Sequence, residues 1–132
     1  MPKISVVMPI YNTGEQLYKT LMSIMGQIEK DFEVLMIDDA SSDALTIETE
    51  ETFQRFDNRF KLYRQDKNTG AANCRNTGLT LVDSKYTIFL DSDDLFCDNM
   101  LLEMSRTLDE SGADLCICNF MMLDIVNNIK IY

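Results

Sequence analysis

The strongest constraint on the fold is an alternation of strand-length apolar runs with segments of helical spacing. Residues 4–9 and 32–38 are short and almost continuously apolar, the pattern of strands covered on both faces, and Pro9 is expected to end the first. Residues 60–65 alternate and predict a shorter strand nearer the sheet edge, and residues 86–90 a fourth strand. Between these runs, Leu17, Leu21, Ile24, Met25 and Ile28 mark one stripe of a helix starting at Glu15. A second helix is expected over 44–56, capped by Ser42 or Asp43, and a third over 71–82. A fourth, capped by Asp98 or Asn99, runs to about residue 110 with Leu101, Leu102, Ser105 and Leu108 inward. Gly112 ends it, and residues 113–123 predict another strand, followed by a turn over 124–128 and a β-like start at 129–132. Strands alternating with helices of this length specify an α/β fold with a mainly parallel, Rossmann-like sheet and flanking helices.

In such sheets ligands sit beyond the carboxyl ends of the strands. That rule gathers three polar loops at one edge: residues 9–12, residues 38–42, and Asp91-Ser92-Asp93-Asp94. In the third, three carboxylates fall within four residues. Like charges about 4 Å apart repel by roughly 4 kcal/mol at an effective dielectric of 20, so a bound cation is one remedy. Hard divalent cations take oxygen ligands, often one or two carboxylates plus substrate phosphates. A plain polar turn with a helix cap is the other reading of these residues taken alone.

The formal net charge of -10 over 132 residues argues against nucleic acid or an anionic membrane as the main partner, because both need a basic face. An anion bound here must be neutralised locally. The four cysteines lack C-x-x-C spacing and the chain has no histidine, which disfavours a zinc site. Cys116 and Cys118 alternate along an apolar run and read, with the other cysteines, as reduced core residues of a cytoplasmic protein. No signal-peptide core follows Met1, and no apolar run approaches membrane-span length. Residues 1–132 read as one domain, and without histidine any acid–base chemistry falls to carboxylates.

Four motifs together resemble the family 2 glycosyltransferases of the GT-A fold. They are Ser5-Val6-Val7-Met8-Pro9-Ile10-Tyr11-Asn12, Met36-Ile37-Asp38-Asp39-Ala40-Ser41-Ser42-Asp43, the stretch from Asn68 through Arg75 and Asn76 to Gly78 and Leu79, and Phe89-Leu90-Asp91-Ser92-Asp93-Asp94. The resemblance spans about residues 4–120 and implies the nucleotide-binding half of such an enzyme, with the C-terminal part missing. It implies that Pro9, Tyr11 and Asn12 lie against the base and ribose of a nucleotide-sugar donor, and that Asp39 accepts from the uracil N–H. A carboxylate suits uracil, since cytosine has no N–H at that ring nitrogen. It further implies that Arg75 faces the nucleotide pocket and Asp91 the ribose and metal shell. Asp93 is implied to coordinate Mn²⁺ or Mg²⁺ bridging the diphosphate, with Asp38 holding the loop. Gly70 is expected to permit close backbone approach and Gly78 close helix-on-sheet packing.

The expected activity is metal-dependent, inverting transfer from a UDP-sugar to an acceptor hydroxyl in polysaccharide or lipopolysaccharide synthesis. The acceptor would be a saccharide or a lipid-linked one, and a peripheral contact of the full-length enzyme with the cytoplasmic face of the membrane is compatible. Gly14 and Asn73 depart mildly from the family pattern. Nothing after Cys118 resembles the family's catalytic carboxylate, so the chain is expected to bind donor but to lack the base. The alternative is a non-catalytic nucleotide- or metal-binding module, for instance a receiver-like domain using Asp38, Asp39 and Asp93.

Overall fold

The computed structural model describes residues 1–124 and 128–131. Its main sheet has four strands, β1 (Ile4–Ile10), β2 (Phe32–Asp38), β3 (Phe60–Arg64) and β4 (Tyr86–Phe89), in the order β3-β2-β1-β4. All are parallel, paired through Val6↔Val34, Val34↔Phe60 and Val6↔Ile88. The connecting helices are α1 (Glu15–Met25), α2 (Ala44–Phe56) and α3 (Ala71–Leu81), and α4 (Met100–Ser111) follows β4. This is the α/β, Rossmann-like architecture expected, with β3 on an edge.

The unbroken apolar runs have a direct cause. Alternate residues of β1 and β2 enter two different cores. Val6, Met8, Ile10, Val34 and Met36 pack with Leu17, Leu21 and Ile24 of α1, Phe53 of α2 and Leu101 of α4. Val7, Leu35 and Ile37 point the other way, onto Cys74 of α3. Covering both faces removes the polar alternation that a half-exposed strand would show.

Pro9 does not end β1, which continues to Ile10. Val7 turns its carbonyl toward β4, where it accepts from the Leu90 amide at 3.1 Å. Pro9, two residues on, faces the same side, and the β1–β4 ladder has ended at Val7↔Phe89. A missing N–H costs nothing where no strand is paired.

Helix α1 also ends earlier than the stripe suggests. Ile28 is 58% exposed, because the helix closes at Met25 and the Ile28 amide donates instead to the Asp98 carbonyl at 2.9 Å. Beside it, buried Gln27 donates to the carbonyls of Ser23 (3.0 Å) and Cys97 (2.7 Å) and accepts from the Leu101 amide (3.0 Å). It locks the start of α4 to the end of α1. Gln27→Ala is expected to cost about 2–3 kcal/mol, read as a lower midpoint in urea denaturation, because three buried partners are stranded.

Asp43 is the α2 cap, accepting from the Thr46 amide at 2.9 Å, and Gly112 closes α4 in the left-handed region at φ 67°. In α4, Leu101 and Ser105 are buried and Leu102 and Leu108 half-buried. The strand expected over 113–123 is not formed as such. Residues 113–120 are irregular, and only β5 (Met121–Asp124) is extended, paired antiparallel with β6 (Asn128–Ile131). A strand needs a ladder partner for its backbone, and here β5 finds β6 rather than the main sheet. Cys118 is therefore exposed and Cys116 half-buried, Cys97 is exposed, and Cys74 alone of the four is a core residue. The turn expected over 124–128 falls largely on residues 125–127, outside the described residues. Among the described residues no helix is long and apolar enough to cross a membrane.

Candidate functional site

Because the strands are parallel, their carboxyl ends share one edge. There the loops after β1, β2 and β4 and the start of α3 enclose a cleft of ≈ 470 Å³. Pro9, Tyr11, Asn12, Asp39, Arg75, Asp91 and Asp93 all line it, so the structure brings together every site residue expected from the sequence.

Each is held by identifiable contacts. Asn12 adopts φ 47°, a left-handed conformation that asparagine tolerates, and its side-chain oxygen accepts from the amides of Ser42 (2.8 Å) and Asp43 (2.9 Å). Its own amide donates to Ser41 Oγ at 3.0 Å. Asn12 thus ties the β1 loop to the β2 loop while Tyr11 stands 51% exposed at the mouth. Asp38 closes β2 and accepts from the Ser41 amide at 3.2 Å, the loop-holding role expected of it.

Asp39 is buried and heavily engaged. Its Oδ1 accepts from the Thr69 amide (2.8 Å) and hydroxyl (3.0 Å), and its Oδ2 from the Gly70 amide (2.8 Å). Burial acts to raise this carboxyl, but the hydrogen bonds from Thr69 and Gly70 outweigh it and hold Asp39 below its ordinary value. Asp39 is therefore an anion poised at the cleft, and Oδ2, with one accepted bond, retains capacity for a further donor. Gly70 serves through its conformation rather than through close approach. Its φ is 92°, and nothing lies within 4 Å of where a Cβ would stand. That geometry aims its amide at Asp39.

Arg75, from α3, donates to Asp91 Oδ1 at 2.6 Å, with both side chains partly exposed. It is the basic side chain among the lining residues, against the three carboxylates of Asp39, Asp91 and Asp93. Asp94, beside them, is raised by burial and by the charges of Asp93 and Asp91. A diphosphate entering this cleft meets excess negative charge, which a divalent cation on Asp91 and Asp93 would offset. Among the described residues no three acidic or sulfur side chains converge as a preformed metal cage. The donor set fits a hard cation that takes one or two carboxylates and completes its shell with phosphate oxygens.

Sequence reasoning did not single out Thr13, Gln16 or Ser92, which also line the cleft. Thr13 Oγ1 and Ser92 Oγ lie 2.6 Å apart and join the β1 loop to the acidic turn. Neither had a signal, because the bond spans 79 residues. Cys74 lines the cleft floor, and burial, with the Asp39 charge, pushes its thiol up to about 11, which keeps it an inert neutral group.

Comparison with known proteins agrees with the fold. The family model described as Glycosyl transferase family 2 matches residues 5–130. The chain is 35% identical over 121 residues to glycosyltransferase GlyG of Streptococcus pneumoniae, covering 92% of this chain and 40% of that protein. It is 38% identical over 120 residues to the poly(ribitol-phosphate) beta-N-acetylglucosaminyltransferase TarP of Staphylococcus aureus, covering 89% and 36%. Among solved structures, residues 1–349 of S. aureus TarS in complex with UDP-GlcNAc superpose with a TM-score of 0.78 at 29% identity, covering 85% of this chain and 32% of that one. The chain spans two-fifths or less of the length of each of these relatives.

Proposed function

This chain belongs to glycosyl transferase family 2, and from that membership and the cleft we propose that it binds a UDP-sugar as the donor of an inverting transfer to an acceptor hydroxyl. The observation that carries the reading is the convergence of Asp39, Arg75, Asp91 and Asp93 with the loop of Pro9, Tyr11 and Asn12 in one cleft. The relative solved with UDP-GlcNAc supports uridine as the base. Membership in the family sets aside the receiver-like alternative.

In this reading the cleft divides the donor among four groups of residues. Asp39, anionic and fixed by Thr69 and Gly70, accepts from the uracil N–H through its remaining lone pairs. Pro9, Tyr11 and Asn12 present an aromatic ring and a rigid backbone to base and ribose. Arg75 and Asp91 form the polar wall between ribose and diphosphate. Asp93, with Asp91, would hold Mn²⁺ or Mg²⁺, which supplies Lewis-acid stabilisation of the charge developing on the departing nucleoside diphosphate. Asp39 is taken up by the α3 loop and the uracil N–H, and Asp91 by Arg75 and the metal, so deprotonation of the acceptor hydroxyl is assigned to neither. We propose donor binding with little transfer by these residues alone, and a role of the whole enzyme in polysaccharide assembly.

Thermal denaturation with UDP, GDP or CDP, each with and without Mn²⁺, tests the proposal. UDP at 100 times its dissociation constant is expected to stabilise the fold by about 2.7 kcal/mol, and only with Mn²⁺ present. Asp93→Asn is expected to abolish that gain without lowering the ligand-free midpoint, because Asp93 is exposed and its charge is repelled by Asp91 and Asp94. A folded chain, verified by circular dichroism, that no nucleotide stabilises in the presence of metal would overturn the proposal.

A further inference from the structure

Behind the cleft two buried carboxyl groups meet. Asp38, at the end of β2, is 1% exposed, and Glu50, on the inner face of α2, is 0% exposed. Each holds one buried oxygen, Asp38 Oδ1 and Glu50 Oε1, without a hydrogen-bond partner among the described residues. Their other oxygens are engaged. Asp38 Oδ2 accepts from the Ser41 amide at 3.2 Å and lies 3.7 Å from Arg64 Nε, and Glu50 Oε2 accepts from Arg64 Nη2 at 3.2 Å. Two carboxylates cannot bond to each other, whereas one proton placed between them satisfies both orphaned oxygens.

The surrounding charges cannot neutralise the pair otherwise. Arg64, from β3, is the cation facing it, and Arg64 Nη1 is also bound to Glu51 at 3.0 Å. On the α3 side, Asp39 is held as an anion and Cys74 stays a neutral thiol. Burial first, and then the adjacent Asp38 carboxylate, push Glu50 up to about 8, against the opposing pull of Arg64.

We propose that Asp38 and Glu50 share one proton at neutral pH, and that this proton fixes the loop carrying Asp39, which makes Glu50 a positioning residue for the base-binding end of the cleft. The last clause rests on the role assigned to Asp39 under the proposed function. Loss of the proton leaves two buried anions facing one shared guanidinium, and the Asp38 carboxylate that anchors Ser41 is then driven from its place. The folded-state value of Glu50 lies above its ordinary 4.5, so its contribution is complete below about that pH. The contribution falls as pH rises toward 8 and is gone beyond it.

The test uses the full chain and Glu50→Gln. The glutamine oxygen accepts from Arg64, and its NH₂ donates permanently to Asp38 Oδ1, replacing the shared proton. Chemical denaturation across about pH 5 to 9 is expected to show stability falling with pH in the parent chain relative to Glu50→Gln. In the parent, carbon-detected NMR is expected to show one glutamate carboxyl titrating near pH 8, with the amides of Asp39 and Ser41 shifting at the same midpoint. UDP affinity is expected to weaken about three- to tenfold between pH 7 and 9 in the parent and by clearly less in Glu50→Gln, where only the ionisation of the uracil itself remains. Parallel stability profiles, or glutamate carboxyls that all titrate in the ordinary range, would overturn the shared proton. Amides of Asp39 and Ser41 that stay still through the titration would overturn the positioning role. If Glu50→Gln does not fold, the titration of the parent chain decides. Absence of UDP binding at every pH counts against the donor-site reading alone, since the NMR and stability measurements do not depend on it.

Discussion

Gly78→Ala is expected to lower the stability of the chain by about 3 kcal/mol, the upper part of the range for overpacking a filled core. A Cβ at Gly78 would fall inside the side chain of Val7, against Cγ1 and with Cγ2 and Cβ also in contact. Val7 is 0% exposed and β-branched, on the central strand, and has little freedom to turn away. Either Val7 leaves its rotamer or α3 lifts from the sheet. Lifting α3 also moves Arg75 and the Thr69–Gly70 amides, so nucleotide-dependent stabilisation should fall with the midpoint. For a domain of this size the loss corresponds to a melting point lower by about 10 °C. Val7→Ala added to Gly78→Ala should recover part of it by opening space for the new methyl. A single variant melting within a degree or two of the parent would refute the tight approach of α3 to β1.

Asp39→Asn is expected to be the most damaging single change in the cleft. The asparagine oxygen can keep the Thr69 bonds, but its NH₂ then opposes the Gly70 amide, so a charge-assisted hydrogen bond becomes a contact between two donors. Loss of the charged bond and the stranded amide together should cost about 2–4 kcal/mol of stability. On the proposed donor reading the same NH₂ group would oppose the uracil N–H, so UDP should bind more weakly even at temperatures where the variant is fully folded. The parent's acid sensitivity provides a second readout. Asp39 is held below its ordinary value of 3.8, so its contribution is present above that pH and is lost as pH falls through the lower folded-state value. Asp39→Asn should therefore flatten the acid limb of the stability profile. Calorimetric titration with UDP and Mn²⁺, beside acid denaturation, separates the two effects.

Much of the fold was legible because its signals are local. The apolar runs of β1 and β2, the stripe of α1, the Asp43 cap and the Gly112 stop each depend on a few neighbouring residues. The errors fell where a distant contact overrode the local pattern. Ile28 continued the helical stripe, but the Asp98 carbonyl takes its amide. Pro9 signalled a strand end, but the β4 ladder stops before it. Cys116 and Cys118 read as alternating core residues, but a strand there needs a partner, and β5 pairs with β6. Gly78 was recognised as a packing glycine and Gly70 as a permissive one. For Gly70 the structure assigns a different reason, a positive φ that turns its amide onto Asp39.

The sequence by itself determined the α/β class and three of the loops that build the cleft, because strand ends in a parallel sheet must share an edge. Residue type put carboxylates at those ends that a cation could use, while the resemblance to the family implied an N–H donor for Asp39 and an anion for Arg75. Only the tertiary structure decided how these groups are used. The order β3-β2-β1-β4 places the loops after β1 and β2 side by side and lets Asn12 bind Ser42 and Asp43. The same folding saturates Asp39 with Thr69 and Gly70, pairs Arg75 with Asp91, and buries Glu50 against Asp38 with Arg64 as their shared cation. The reason is one of range. Hydrophobic period and capping act over a turn or a strand, whereas the charge state of a buried carboxyl depends on groups contributed by separate elements, and their distances exist only once the chain has folded.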